Sequence, residues 1–136
     1  DLLKVIKMLL IHDIVEIDAG DTFLFDQSKD HVNTTEELKA AERIFGILPD
    51  TQAEELIQLW KEFEAAESAE AKFAKAMDRF EPMLQNASNE GGTWKEFKVP
   101  YETVIRKKEK IKEGSTSVWD HAKKLVDASK EKGEIK

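Results

Sequence analysis

The stretch "LLIHDIVEIDAGDT", residues 9–22, runs from apolar side chains straight into His12 and Asp13, with Glu16, Asp18 and Asp21 close behind. An ionised carboxylate is costly to bury unless a cation, a metal or a hydrogen-bond donor compensates it. Either the chain surfaces here or something positive meets it. On a helix, the adjacent His12 and Asp13 point about 100° apart and can still reach one ion lying against the helix wall. Glu16 lies one turn past His12 and three residues past Asp13, so it shares their face. An imidazole with a carboxylate suits a divalent transition metal, and Glu16 is placed to handle protons beside it. Gly20 then breaks the helix and sends Asp21 back from a turn.

A metal site needs more than two ligands, so the rest of the chain must supply another. Among the later acidic residues Asp78 stands out, in "FAKAMDRFEPML" between Met77 and Phe80 on the apolar side of its helix. A core-facing aspartate should have a partner, and antiparallel or crossing helices can bring it to Asp13. Each residue also has a plainer reading. His12 and Asp13 could be a helix end reaching solvent, Asp78 could pair with Arg79 or a nearby lysine, and Asp21 could cap the turn after Gly20.

The elements that would position these groups read as helix after helix. Leu2, Leu3, Val5, Ile6, Met8, Leu9, Leu10 and Ile11 form an apolar run, interrupted by Lys4 and Lys7, that is too short to span a bilayer. It lacks a small-residue cleavage site, so a buried core helix fits it better than a signal peptide. Thr34 and Glu37 have capping-box spacing and open a helix to about Phe45, with Leu38, Ala41, Ile44 and Phe45 on one face. Pro49 and Asp50 start another, carrying Leu56, Leu59, Trp60 and Phe63. Ser68 begins a third with Phe73, Met77, Phe80 and Leu84 in register, and Pro82 should kink or weaken its last turns. "ASNEGGTWKEFKVP", residues 87–100, reads as a long loop. Helices from about Tyr101 to Glu113 and from about Ser117 to Lys130 complete an all-α fold without repeats or low-complexity tracts.

Composition narrows the function classes. The 136 residues are 40% hydrophobic and carry a net charge of −7, which suits one domain with a single core. With a pI near 5.1, the field of the molecule would repel nucleic acid and anionic membrane, so neither is an expected partner. No cysteine is present, which excludes disulfides and thiolate sites and is compatible with a reducing cytoplasm. The chain starts at Asp1 without Met and enters a helix at once, which reads as an N-terminally incomplete domain. His31 and His121 lack an acidic frame and read as surface residues. Trp60, Trp94 and Trp119 read as packing residues, and "RKKEKIKE" reads as a solvated helix face.

The His–Asp pair on an apolar helix, followed by "IVEIDAGDT" and later by "AMDRFEPMLQN", resembles the HD-domain metal-dependent phosphohydrolases. It is similar to the branch of bacterial 5′-deoxynucleotidases, over most of the chain including "GGTWKEF" and the helical tail. The resemblance implies an HD-type helical bundle of about six helices over residues 1–136, with an N-terminal helix or helices missing. It implies His12, Asp13 and Asp78 as metal ligands, and Glu16 and Asp21 as the acidic residues serving water and substrate. The family's first ligand is a histidine on an earlier helix, and nothing before His12 in this chain can supply it. The implied cofactor is a divalent ion, with Mn, Co, Zn, Mg and Fe not distinguishable from a mixed nitrogen and oxygen set. The implied substrate is a small phosphate ester, a (deoxy)nucleoside 5′-monophosphate, hydrolysed in the cytoplasm by a homodimer, with Lys75 and Arg79 able to offset the acidic charge. Another phosphorylated nucleotide, or a helical interaction module without catalysis, are the alternatives.

Overall fold

The computed structural model describes residues 1–20 and 34–136, and the Thr34 side chain, His31 and Asp21 lie outside the described residues. Every regular element among the described residues is helical, as the sequence implies. The chain divides into two compact units, 1–71 and 72–136.

The first unit opens with α1, Leu2–Ile11, whose Asp1 cap accepts a hydrogen bond from the Lys4 amide at 3.1 Å. Capping satisfies one of the amides that a helix start leaves without an internal partner. Instead of continuing regularly, α1 tightens into a 3-10 turn, His12–Val15, followed by the single-turn α2, Glu16–Ala19. Gly20 closes it at φ +80°, a backbone state that favours glycine. α3 is Thr34–Phe45 and α4 is Asp50–Ala65. α1 and α3 both pack on α4, and α3 also packs on the 3-10 turn and α2. Their shared core holds Met8, Val15, Ala41, Phe45, Trp60 and Phe63. Burying each of the larger of these is worth about 1.5–3 kcal/mol. Lys4 pairs with Glu62 and Lys7 with Glu55, each at 2.7 Å, so α1 is fastened to α4 along their polar rim.

α5, Ala69–Ser88, crosses from the first unit into the second. Ser68 Oγ caps it by accepting from the Ala71 amide at 3.2 Å. Pro82 does not end this helix: α5 runs on to Ser88. Pro82 brings no N–H for the Asp78 carbonyl one turn back, and burial of Phe80, Met83 and Asn86 holds the later turns in place.

Half of the stretch expected to be a loop, residues 87–100, is helical, in the end of α5 and in a further short helix. After α5 ends, α6 occupies Gly92–Glu96 and inserts Trp94, 1% exposed, into the core. Asn86 builds the turn between them: its Oδ1 accepts from the Thr93 amide at 2.7 Å and its Nδ2 donates to the Pro82 carbonyl at 2.8 Å. Gly91 is required there, because at φ +92° a Cβ would lie 2.7 Å from the Glu134 carbonyl oxygen. The helix expected from Tyr101 to Glu113 is divided into α7, Tyr101–Lys108, and α8, Ile111–Gly114. The turn at Glu109 and Lys110 leaves both Val104 and Ile111 fully buried. α9, Thr116–Glu131, is capped by Ser115 Oγ and receives α7 and α8.

Candidate metal centre

His12 is held by its surroundings in a defined orientation. Its side chain is 13% exposed, and its ring lies 4.7 Å from the Phe63 ring at a 54° tilt. Its Nδ1 stands 2.9 Å from the Leu9 carbonyl oxygen. A carbonyl can only accept, so Nδ1 carries the hydrogen and Nε2 presents a lone pair when the ring is neutral. That Nε2 faces Asp13 Oδ1 at 2.9 Å, and the Asp13 side chain is 67% exposed. Two lone pairs at this distance repel unless a positive charge lies with them, supplied by a proton on the ring or by a cation.

Donor chemistry fits a divalent ion. Two donors each about 2.1 Å from one ion and about 90° apart at it stand about 3.0 Å from each other, close to the observed separation. An Nδ1–H given to a backbone carbonyl is also the usual second contact of a ligating histidine, because it fixes the tautomer. Among the described residues, no group of three or more histidine or acidic side chains is gathered for an ion.

The 3-10 geometry changes how the other acids stand. In such a turn residues i and i+3 eclipse, so Asp13 and Glu16 align more closely than on an α-helix. Glu16 donates its backbone N–H to the Asp13 carbonyl, the hydrogen bond expected of that geometry. Its side chain is half-buried at the start of α2. Asp21 lies outside the described residues.

Asp18 and Arg43 were not singled out as a pair by sequence reasoning. Arg43 Nε and Nη2 donate to the two carboxylate oxygens of Asp18, the Nη2 contact at 2.7 Å. The Arg43 hydrogen bond holds the Asp18 carboxyl below its usual range. Their separation of 25 residues, on two different helices, leaves no local signal.

In the second unit Asp78 is half-buried on α5, at the rim rather than inside the core that Ala74, Ala76 and Phe80 enter. Its electrostatic neighbour is a residue the sequence placed on a solvated face. Lys108 is 5% exposed, and burial pushes its ammonium down to about 8, with Asp78 pulling it back up. The solvated reading of "RKKEKIKE" is therefore wrong at Lys108 and Ile111. Val104, Lys108 and Ile111 recur at helical spacing, the signal that could have found the buried lysine. His121 is exposed, with its ring edge toward Phe80 at 5.8 Å. Trp60 and Trp94 are buried packing residues, and Trp119 is half-buried.

Residues 1–119 match the family model of the HD domain. The human 5′-deoxynucleotidase HDDC2 is 34% identical over 87 residues, which cover 64% of this chain and 43% of the relative. The 5′-deoxynucleotidase hdd1 of Schizosaccharomyces pombe is 28% identical over 86 residues, 60% of this chain and 43% of its own. The matches thus span less than half the length of these curated relatives. The crystal structure of a predicted metal-dependent phosphohydrolase from Magnetospirillum magnetotacticum MS-1 is similar with a TM-score of 0.91 and 47% identity, covering 99% of this chain and 67% of that one.

Proposed function

Because the chain belongs to the HD-domain family, we propose that it is a metal-dependent phosphohydrolase releasing phosphate from (deoxy)nucleoside 5′-monophosphates. The observation that carries this reading is the convergence of His12 Nε2 and Asp13 Oδ1, 2.9 Å apart, the spacing of two donors on one ion. The deoxynucleotidase names of the curated relatives support the substrate class. The similarity at 47% identity to a protein described as a metal-dependent phosphohydrolase supports the reaction type.

His12, Asp13 and Asp78 are the proposed ligands of a divalent ion, which supplies Lewis acidity toward the phosphoryl group when bound. The nitrogen and oxygen donor set accepts Mn, Co, Zn, Mg or Fe. The Leu9 carbonyl keeps the His12 ring turned so that Nε2 is the donor. Glu16 is the proposed proton carrier to the leaving sugar oxygen, and Asp21 the proposed orienter of water or substrate. We read residues 1–136 as one HD-type domain, supported by a family match that covers the first compact unit and continues into the second as far as residue 119. A homodimer belongs to the same reading, supported by exposed apolar side chains on α1. A cytoplasmic location belongs to it too, as the compartment of its proposed nucleotide substrate.

The test is elemental analysis of the full-length protein, together with phosphate release from a nucleotide panel in added manganese or cobalt. Bound divalent ion and release from nucleoside monophosphates are expected. Asp13→Ala and Asp78→Ala should each lose the ion and the activity. Absence of both ion and release from the unmutated protein would instead make the chain an interaction module, and retained stoichiometric metal in both variants would remove the ligand assignment.

A further inference from the structure

We infer that Arg43 is a positioning residue for Glu16, acting through Asp18; the inference rests on the phosphohydrolase reading for what Glu16 does. α2 is one turn long, Glu16–Ala19, and none of its four residues is buried. So short a helix has no stability of its own, because helix nucleation is unfavourable. Gly20 at φ +80° ends it, so its direction is set at its start by the 3-10 turn it continues and along its side by α3. Its orientation must come from what it is tied to.

Arg43 supplies the side-chain tie to α3. It lies in the last turn of α3, and its Nε and Nη2 grip both oxygens of Asp18, with the Nη2 contact at 2.7 Å. A bidentate fork fixes the plane of the carboxylate as well as its distance, which a single ion pair does not. α3 is itself anchored, burying Ala40, Ala41 and Phe45, and it packs on the 3-10 turn that carries His12 and Asp13. One rigid helix therefore backs the candidate metal pair and holds the neighbouring acid-bearing turn. Arg43 and Asp18 are 58% and 31% exposed, and pairs in such settings contribute little to stability. Orientation is the larger effect of this geometry.

The experiment uses full-length protein carrying Asp18→Asn, Arg43→Met, Arg43→Lys and the double change Asp18→Asn/Arg43→Met. The readouts are kcat, KM, bound metal, melting temperature and amide hydrogen exchange at residues 16–20. Arg43→Met and Asp18→Asn should each lower kcat about tenfold or more, with KM and metal content unchanged, since small misplacement of a catalytic group is enough for that. The double variant should be no worse than either single one, because both remove the same contact. Arg43→Lys should recover only part of the loss, lacking the fork. Exchange at 16–20 should quicken in Arg43→Met. Normal kcat in both single variants, additive losses, or losses matched by lost metal would overturn the positioning role. If the unmutated protein releases no phosphate, the functional reading fails instead, and unchanged exchange in Arg43→Met would then still reject the clamp.

Discussion

With Nδ1 turned to the Leu9 carbonyl, His12 Nε2 and Asp13 Oδ1 stand 2.9 Å apart, an arrangement that a positive charge stabilises, whether a ring proton or a cation. His12 cannot relieve it by turning, because its Nδ1 is committed to Leu9 and its ring is packed on Phe63. Beside this pair, Glu16 separates structural from chemical roles. Glu16→Gln keeps the size and helix propensity of the side chain, so a supporting residue would tolerate it. Loss of a proton carrier should slow phosphate release by roughly a hundredfold or more while bound metal stays at the unmutated level. Measuring both on one full-length sample decides it, and near-normal turnover with normal metal would reject the proton-transfer role. His12, Asp13 and Glu16 were legible in the sequence because residues so close together cannot escape one another, whatever the tertiary fold. The Arg43 contact to Asp18 was not, since it depends on where α3 lies.

Elements behave the same way: long periodic helices were legible, and tight turns were not. α4 and α9 start within a residue or two of the Pro49/Asp50 and Ser117 signals, because capping and periodicity act within a few residues. α6 and the break after α7 were missed because burial of Trp94, Val104 and Ile111 decides them. That break also buries Lys108, which has a consequence for stability. Burial lowers the Lys108 value from 10.5 to about 8, and Asp78 offsets part of that effect. Between these values the unfolded chain binds the proton that the folded chain has released, so this group makes stability rise with pH from about 8 to 10.5. Below about pH 8 the buried charge costs the folded state about 3 kcal/mol, at about 1.4 kcal/mol per pH unit. Lys108→Met should therefore stabilise the metal-free protein by about 1–3 kcal/mol at pH 7, with the gain shrinking toward pH 10. Urea unfolding of both proteins at the two pH values checks it, and a less stable variant at pH 7 would mean that the ammonium is well compensated where it sits.

At the scale of the whole molecule, the all-α class was legible from periodicity, whereas which side of an apolar helix faces outward was not. The run from Leu2 to Ile11, broken only by Lys4 and Lys7, reads as a buried core helix, yet α1 turns Val5, Met8 and Ile11 inward and leaves Leu2, Ile6 and Leu10 at 71%, 45% and 72% exposure. These three fall at i, i+4 and i+8, so they form one stripe, with Leu3 beside it at 62%. Burying one such side chain is worth about 1.5–3 kcal/mol. A stripe of this kind can meet its own copy across a two-fold axis, where each residue's contact is made twice. The homodimer reading thus gives a specific expectation: the full-length protein should have twice its chain mass by light scattering at micromolar concentration. Ile6→Ser/Leu10→Ser should halve that mass without changing the helical circular dichroism, because neither residue belongs to the buried set of the first unit. A monomeric unmutated protein, or a variant that remains dimeric, would reject this face as the contact between copies.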